Sequence, residues 1–313
     1  MEAEGRRSRP SRYAALLVPL FGIAELAAHV GFSRRAPNEK EWSEVRPLVA
    51  SSYKPGDVVI VAPYWAEPMA RAAFGDELMP LRDVARPDAT RYAEAVEVST
   101  LGSRSPELAG WKVTRETKRG AFTVRTVANP VPPSITYDFG DHVGPEALDV
   151  RTERGGVATA CPWNPNATIE GGGLGGPPIF PAARFACPAE PSYVFVGTTI
   201  IDDQDARPRR CTWAHPPGDG ELVARFRGVP LGKTLHGHAG LGWLIERDRA
   251  VPPFTIRVLA GGIDVGSVLH EAGEGWKGFD LPLGAAAGTT ADVEFRVSAP
   301  RGGTHVCFEV DAR

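Results

Sequence analysis

From Ser192 onward, short strand-like segments recur about every ten residues, with glycine, proline and polar turn signals between them. Helical periodicity is absent from this part of the sequence. Regularly spaced short strands are typical of a β-sandwich or jelly roll. The predicted strands cover residues 193–201, 210–214, 221–226, 240–246, 254–259, 265–270, 279–283, 293–297 and 306–310.

The glycine and proline content agrees with this prediction. The 313 residues include 35 Gly and 29 Pro, which favour turns and short strands over long helices. We interpret residues 131–190 as a β-rich connector dense in both, and residues 191–313 as a disulfide-stapled jelly-roll sandwich domain. The glycine-rich stretch at 171–178 lacks the Lys-Ser/Thr pair of a nucleotide-binding loop, so we interpret it as a structural loop.

The sequence before residue 131 has a different pattern, and we expect a small α/β domain over residues 36–130. Residues 39–51 have the apolar spacing of a helix, and residues 63–74 are helix formers after a proline. Between them, residues 57–62 form a continuous apolar run, as in a strand of a parallel sheet buried on both faces. Helix, strand and helix in succession predict an α/β unit. Further predicted strands lie at 94–98 and within 111–127.

Four arginines precede a mostly apolar run at residues 13–32: Arg6, Arg7, Arg9 and Arg12. This order is typical of an export signal, and the run reaches the roughly 20 residues that a membrane helix needs. No small-x-small cleavage site follows, so we expect a signal anchor, a single transmembrane helix, within residues 1–35. A cleaved signal peptide and a buried amphipathic helix are the alternatives. Because positively charged flanks of membrane helices stay in the cytoplasm, the four arginines are expected there. The rest of the chain would then lie in the periplasm or outside the cell.

Four cysteines follow the export signal: Cys161, Cys187, Cys211 and Cys307. An even number in an exported protein predicts two disulfides, for which three connectivities exist. The first two cysteines flank the glycine-rich loop, which favours local pairing. The other two lie on an early and on the last sandwich strand, and such strands often neighbour each other in jelly rolls. Four unpaired thiols in a cytosolic protein are the alternative. No Cys-x-x-Cys pair supports a zinc tetrathiolate.

Two histidines two residues apart form a candidate metal pair. His236 and His238 lie on the same face of an extended segment, where they could bind zinc or copper. A third ligand would come from elsewhere, and His215 and His270 are candidates. Histidines that face solvent or are hydrogen-bonded within the protein are the alternative.

A second candidate is an acidic turn after a predicted strand, which includes Asp202, Asp203 and Asp205. Calcium takes oxygen ligands in such turns, and many sandwich domains hold one. The sequence therefore allows a structural Ca²⁺ at this turn and predicts no required cofactor. A solvated acidic turn is the favoured interpretation.

Three tryptophans of the sandwich region are candidate ligand contacts, together with His236 and His238: Trp213, Trp243 and Trp276. Exposed aromatic rings can stack on sugar rings, although burial in the core is the commoner fate of tryptophan.

The sequence contains no arrangement that indicates catalysis. It has no Gly-x-Ser-x-Gly elbow and no cysteine–histidine arrangement distinct from the predicted disulfides. A glycosidase needs two carboxylates that face each other across a cleft, and no sequence pattern pairs any two here. The candidate carboxylates are Asp138, Asp141, Glu146, Glu271 and Glu274. A formal net charge of -3 offers no basic surface for nucleic acid. The excess of arginine over lysine fits a GC-rich bacterial genome.

Two stretches resemble known families. The stretch from Glu44 to Gly75 resembles the soluble C-terminal segment of bacterial dolichyl-phosphate-mannose-type glycosyltransferases. The resemblance rests on a helix, the strand after Lys54-Pro55-Gly56 and a tryptophan-containing helix that follows. This resemblance covers about a tenth of the chain and implies a soluble module without the active site. No catalytic residue is carried over.

The second resemblance is to the second half of galactose-binding-like jelly rolls. It rests on Trp276 and Phe279, on the later Gly288, and on residues 291–297 before the strand of Cys307. It implies a fold, and a fold alone does not fix a function.

These observations predict a non-catalytic, membrane-anchored bacterial envelope protein whose sandwich binds a carbohydrate or an envelope partner protein, and no nucleic acid. One alternative is a glycan-active enzyme, or a glycosyltransferase accessory subunit, with a site between the two halves. A structural envelope protein is the other. Exposed aromatic side chains would favour the binding protein. A deep pocket with convergent carboxylates or histidines would favour the enzyme. A large exposed apolar patch would favour the structural role.

Overall fold

The structure is a computed structural model that describes residues 14–33, 36–171, 179–248, 251–302 and 304–313. The four arginines before the apolar run and most of the glycine-rich loop lie outside these residues. The chain forms two compact units. The first consists of Met1–Met79 and Glu94–Ala128, and the second of Pro80–Ala93 and Asn129–Arg313. Residues 131–190 are thus part of the second unit.

The described residues form five α-helices: α1 Ala14–Ser33, α2 Glu39–Ser52, α3 Glu67–Phe74, α4 Leu81–Val84 and α5 Trp243–Asp248. The strands are β1 Val58–Ala62, β2 Glu94–Thr100, β3 Lys112–Arg119, β4 Phe122–Ala128, β5 Tyr137–Asp138, β6 Leu148–Arg154, β7 Val157–Ala160, β8 Trp163–Asn164, β9 Arg184–Ala186, β10 Phe195–Asp202, β11 Pro208–Ala214, β12 Glu221–Pro230, β13 Thr234–Gly240, β14 Phe254–Ala260, β15 Ile263–His270, β16 Lys277–Pro282, β17 Thr290–Ser298 and β18 Cys307–Ala312. Short 3-10 helices lie at Tyr64–Ala66, Pro106–Leu108, Phe139–His142 and Gly284–Ala286.

The first unit is an α/β unit, as the sequence predicts. Its sheet I has the strand order β1-β2-β4-β3, in which β1 pairs with β2 in parallel and the other neighbours are antiparallel. Every residue of β1 is buried, which explains its continuous apolar run. Asn38 and Glu41 cap the start of α2 reciprocally, each side chain accepting a backbone N–H of the other residue.

The predicted N-terminal membrane helix is not supported. A helix does form there, α1. Within the part of the chain that the structure describes, however, no helix is long and apolar enough to cross a membrane.

The second unit is a β-sandwich of two antiparallel sheets. Sheet II has the order β16-β13-β18-β11-β10-β9-β8, with β5 beside β18, and sheet III has the order β15-β14-β17-β12-β6-β7. Alternate residues of each sheet point into one shared apolar core. Sheet II contributes Leu235, Ala239, Phe308 and Val310 to it, and sheet III contributes Leu222, Ala224, Ile256, Val258, Phe295 and Val297.

One predicted strand is wrong. Residues 240–246 were expected to form a strand, but the strand β13 ends at Gly240 and the helix α5 begins at Trp243. The expected extended segment around His236 and His238 is confirmed as β13.

Both predicted disulfide pairings are confirmed. Cys161 bonds to Cys187, 26 residues apart, and Cys211 bonds to Cys307, 96 residues apart. The second bond joins the neighbouring strands β11 and β18. Two disulfides indicate that the protein resides in an oxidising compartment, outside the cell or in the periplasm.

The segment Pro80–Ala93 is anchored on sheet II, on the face away from the shared core. The Arg209 guanidinium on β11 donates from Nη1 to the carbonyls of Arg86 and Pro87, at 2.8 Å each. The backbone N–H of Arg210 donates to the Ala85 carbonyl at 2.8 Å. These bonds fix the segment where the candidate site lies.

Candidate metal centre

The strand β13 presents two histidines on one side of sheet II. Leu235 and Ala239 point into the shared core, so the alternating His236 and His238 point away from it. Gly237 lies between them because its position has no room for a side chain. A Cβ there would come within 2.4 Å of the Glu309 carbonyl oxygen.

The third member is Asp88, from the segment Pro80–Ala93. Its Oδ2 lies 3.2 Å from Nε2 of His236 and 3.4 Å from Nε2 of His238. One ligand atom from each of the three residues lies within 4.8 Å of the other two. The Asp88 Oδ1 accepts the backbone N–H and the hydroxyl of Thr90, at 2.6 Å each, which fixes the carboxylate. We call these three residues the Asp88 cluster.

Each histidine also has a carboxylate on its other ring nitrogen. The Nδ1 of His236 lies 2.7 Å from Oδ1 of Asp280 on the neighbouring strand β16. The Nδ1 of His238 lies 3.9 Å from Oε2 of Glu309 on β18, beyond hydrogen-bonding distance. Carboxylates behind metal-binding histidines fix the tautomer and the orientation of the ring. The imidazole of His236 has this arrangement, whereas Glu309 lies too far from His238 to accept a hydrogen bond from it.

A second row of charges fixes Glu309. Arg91 lies 3.4 Å from its Oε1 and also bonds to Asp138. Burial raises the pKa of Glu309, although the nearby imidazole of His238 and the charge of Arg91 oppose that rise. Glu309 is nearly inaccessible to solvent, so Arg91 compensates a carboxylate that burial would otherwise penalise.

The cluster itself is partly exposed, with 18, 19 and 12% of the side chains of His236, Asp88 and His238 accessible. Burial acts to raise the pKa of Asp88, but hydrogen bonds from His236 and Thr90 outweigh it and lower that pKa. The bond to Asp88 raises the pKa of His236 despite partial burial, and Asp280 adds to this effect. The carboxylates on both sides of His236 therefore stabilise a proton on its imidazole.

Trp276 forms one wall of the cluster. Its half-buried ring is parallel to the His238 imidazole, with an interplanar angle of 3° and centroids 5.9 Å apart. The guanidinium carbon of Arg209 lies 6.0 Å from the centroid of the same ring. The ring of Trp276 therefore packs against the protein's own side chains.

The remaining predicted residues lie elsewhere. Trp213 is fully buried, and its Nε1 donates to the Tyr193 carbonyl, so the ring cannot reach a ligand at the surface. Trp243 is half-buried at the start of α5. Neither His215 nor His270 joins the pair on β13. The third member is Asp88, which the sequence analysis missed because it lies 148 residues before His236.

The acidic turn is organised around one buried carboxylate. Asp203 accepts the backbone N–H groups of Asp205 and Arg207 and an ion pair from Nε of Arg209 at 2.7 Å. Asp202 and Asp205 are exposed. Among the described residues, these three carboxylates do not converge as a set of metal ligands. The structural Ca²⁺ stays a prediction.

No protein-family model matches the sequence, and no curated protein matches it. Three solved structures are similar to parts of the chain. The CBM51-2 and INT domains of ZmpB from Clostridium perfringens have 9% identity and a TM-score of 0.27, covering 37% of this chain and 26% of that one. The same domains, with CBM51-2 in complex with GlcNAc, have 8% identity and a TM-score of 0.28, covering 57% and 40%.

The third is a cyclase from Fischerella sp. TAU, with 14% identity and a TM-score of 0.26, covering 40% of this chain and 79% of that one. The chain spans about a quarter of the length of the first ZmpB structure. Likenesses of this size assign neither a fold nor a function, and none of the three is a glycosyltransferase.

Proposed function

We propose that the second unit is a metal-binding β-sandwich module that holds one divalent transition-metal ion in the Asp88 cluster. The observation that carries this proposal is the convergence of the donor atoms. The Asp88 Oδ2 lies 3.2 and 3.4 Å from the two imidazole Nε2 atoms. Two ligands of a tetrahedral zinc ion, with bonds of about 2.0–2.1 Å, are about 3.3 Å apart. The three side chains could therefore bind an ion with little movement.

Zinc fits these donors and is the ion we propose. Two imidazoles and one carboxylate suit Zn²⁺, whereas Ca²⁺ and Mg²⁺ prefer oxygen ligands throughout. The cluster supplies three protein ligands, and structural zinc sites are closed by four. Because the cluster is partly exposed, the fourth position would take water or an oxygen atom of a bound molecule.

We assign the sandwich a jelly-roll topology and a non-catalytic binding role. The two disulfides support export, because such bonds persist in oxidising compartments.

The test is zinc binding by the full oxidised chain, stripped with a chelator and dialysed. Calorimetric titration with ZnCl₂ should show one ion per chain. The double variant His236→Gln/His238→Gln should lose this binding. Asp280→Asn should weaken it by about 10- to 100-fold, because His236 loses the carboxylate that orients it. His29→Gln changes an exposed histidine of α1 and should bind as the wild type does.

Two results would contradict the proposal. One is a wild-type chain without stoichiometric zinc, and the other is a double variant that binds zinc as tightly as the wild type. Either result would leave the Asp88 cluster as a hydrogen-bonded ion-pair network.

A further inference from the structure

An open depression lies at α5, with Gln204, Trp243, Glu246 and Arg247 around it. Trp243 and Arg247 are four residues apart on the helix and thus lie on the same side of it. Trp243 is half-buried, whereas Arg247 is exposed. Gln204 is exposed and comes from the turn between β10 and β11. The depression therefore combines an aromatic ring, a primary amide and a guanidinium group.

The helix that presents these groups is held by a buried hydrogen bond between a carboxylate and a histidine. Glu246 is inaccessible to solvent, and its Oε1 lies 2.6 Å from Nε2 of the equally buried His270 on β15. Its oxygens also accept the backbone N–H groups of Leu241 and Gly273. A six-residue helix is not stable alone, so these bonds fix α5 in place.

The opposite wall is fixed as well. Gln204 follows Asp203, whose carboxylate accepts two backbone N–H groups of the turn and the guanidinium of Arg209. Hydrogen bonds within the protein thus hold both walls in place. A binding site with ordered walls loses less conformational entropy on binding.

We propose that this depression binds one pyranose ring of a saccharide, independently of the metal centre. The apolar face of a pyranose stacks on an aromatic ring, and Trp243 offers such a ring half-exposed. Sugar hydroxyls donate and accept hydrogen bonds. The Gln204 amide can do both, and the Arg247 guanidinium donates. A concave site with an aromatic wall and a few converging polar groups is the usual form of a small-molecule site.

The experiment is saturation-transfer NMR on the full oxidised chain, with EDTA present so that zinc plays no part. The probes are the methyl glycosides of glucose, galactose and N-acetylglucosamine, and cellotetraose. At least one probe should receive saturation, strongest at the ring protons that face Trp243. Trp243→Ala should weaken its binding by roughly tenfold or more, as loss of a central aromatic contact does. Gln204→Ala should also weaken it.

Trp65→Ala is the matched control, because Trp65 is an exposed tryptophan of the first unit. It should bind the probe as the wild type does. Thermal unfolding should show that each variant folds, and Gln204→Ala tests the site even where Trp243→Ala does not fold. Absence of saturation transfer to every probe would overturn the proposal. Binding that is unchanged both in Gln204→Ala and in a folded Trp243→Ala would overturn it as well. EDTA keeps these outcomes separate from the zinc test.

Discussion

Histidines of the second unit have opposite protonation preferences. His236 lies between Asp88 and Asp280, which raise its pKa. His215 lies among the rings of Tyr193, Trp213 and His305, where burial, and then the charge of His305, lower its pKa to about 3. The first environment stabilises a cation and the second excludes one.

Stability should therefore fall in mild acid because of His215. Its folded pKa is about 3 and its unfolded pKa about 6.5. Between these values the unfolded chain binds a proton that the folded chain excludes, so unfolding becomes easier as the pH falls below about 6.5. When the pH falls from about 7 to about 5, this histidine should lower the free energy of unfolding by about 2 kcal/mol.

Urea unfolding of the wild type and of His215→Phe at both pH values measures this effect. The variant should lose about 2 kcal/mol less than the wild type on acidification. His29→Gln, at an exposed position, should keep the wild-type pH dependence. The same pH dependence in His215→Phe and wild type would show that His215 does not exclude its proton.

At the scale of elements, β13 shapes the Asp88 cluster through Gly237, which is not a member of it. Its strand neighbours are β16 and β18, which carry Asp280 and Glu309. Gly237 lets them approach, since a Cβ there would meet the Glu309 carbonyl oxygen at 2.4 Å and the Phe279 ring at 2.7 Å. The backbone between the two histidines is therefore as constrained as the histidines themselves.

Gly237→Ala should lower the free energy of unfolding by about 1–3 kcal/mol, because the added methyl group overpacks the sheet. Urea unfolding measures this loss. Gly144→Ala is the control, since its Cβ would meet nothing within 4 Å, and it should be close to neutral. A Gly237→Ala variant as stable as the wild type would mean that the strands separate at little cost.

Most sandwich elements could be predicted from the sequence, because alternation and turn residues are local signals. The helix α5 could not. Its apolar residues Leu244 and Ile245 form a run too short to separate strand from helix. The bond from Glu246 to His270, which fixes the helix, joins residues far apart in sequence. Likewise, the spacing of His236 and His238 predicted a paired site, but no local signal marks Asp88.

At the scale of the whole molecule, the two disulfides differ in how much chain they constrain. The bond Cys161–Cys187 closes a separation of 26 residues, and Cys211–Cys307 closes one of 96. In the chain-entropy account these closures contribute about 3.5 and about 4.7 kcal/mol. The pairing itself was predictable, because one pair flanks a loop and the other lies on strands expected to be neighbours.

Replacing both cysteines of the longer closure with alanine should therefore cost about 1 kcal/mol more than the same change in the shorter one. Urea unfolding of Cys211→Ala/Cys307→Ala and Cys161→Ala/Cys187→Ala, against the oxidised wild type, measures the difference. A larger loss in the Cys161→Ala/Cys187→Ala variant would show that the longer bond stabilises less than its loop length implies.

The sandwich unit is not continuous in sequence. Its Asp88 lies in Pro80–Ala93, and residues 94–128 of the other unit follow before the chain returns at Asn129. A gene fragment that encodes every strand of sheets II and III, from residue 129 onward, would therefore lack one of the three side chains of the Asp88 cluster. The cluster cannot be inherited, exchanged or grafted as a single contiguous segment. During synthesis, Asp88 leaves the ribosome long before the histidines that complete it.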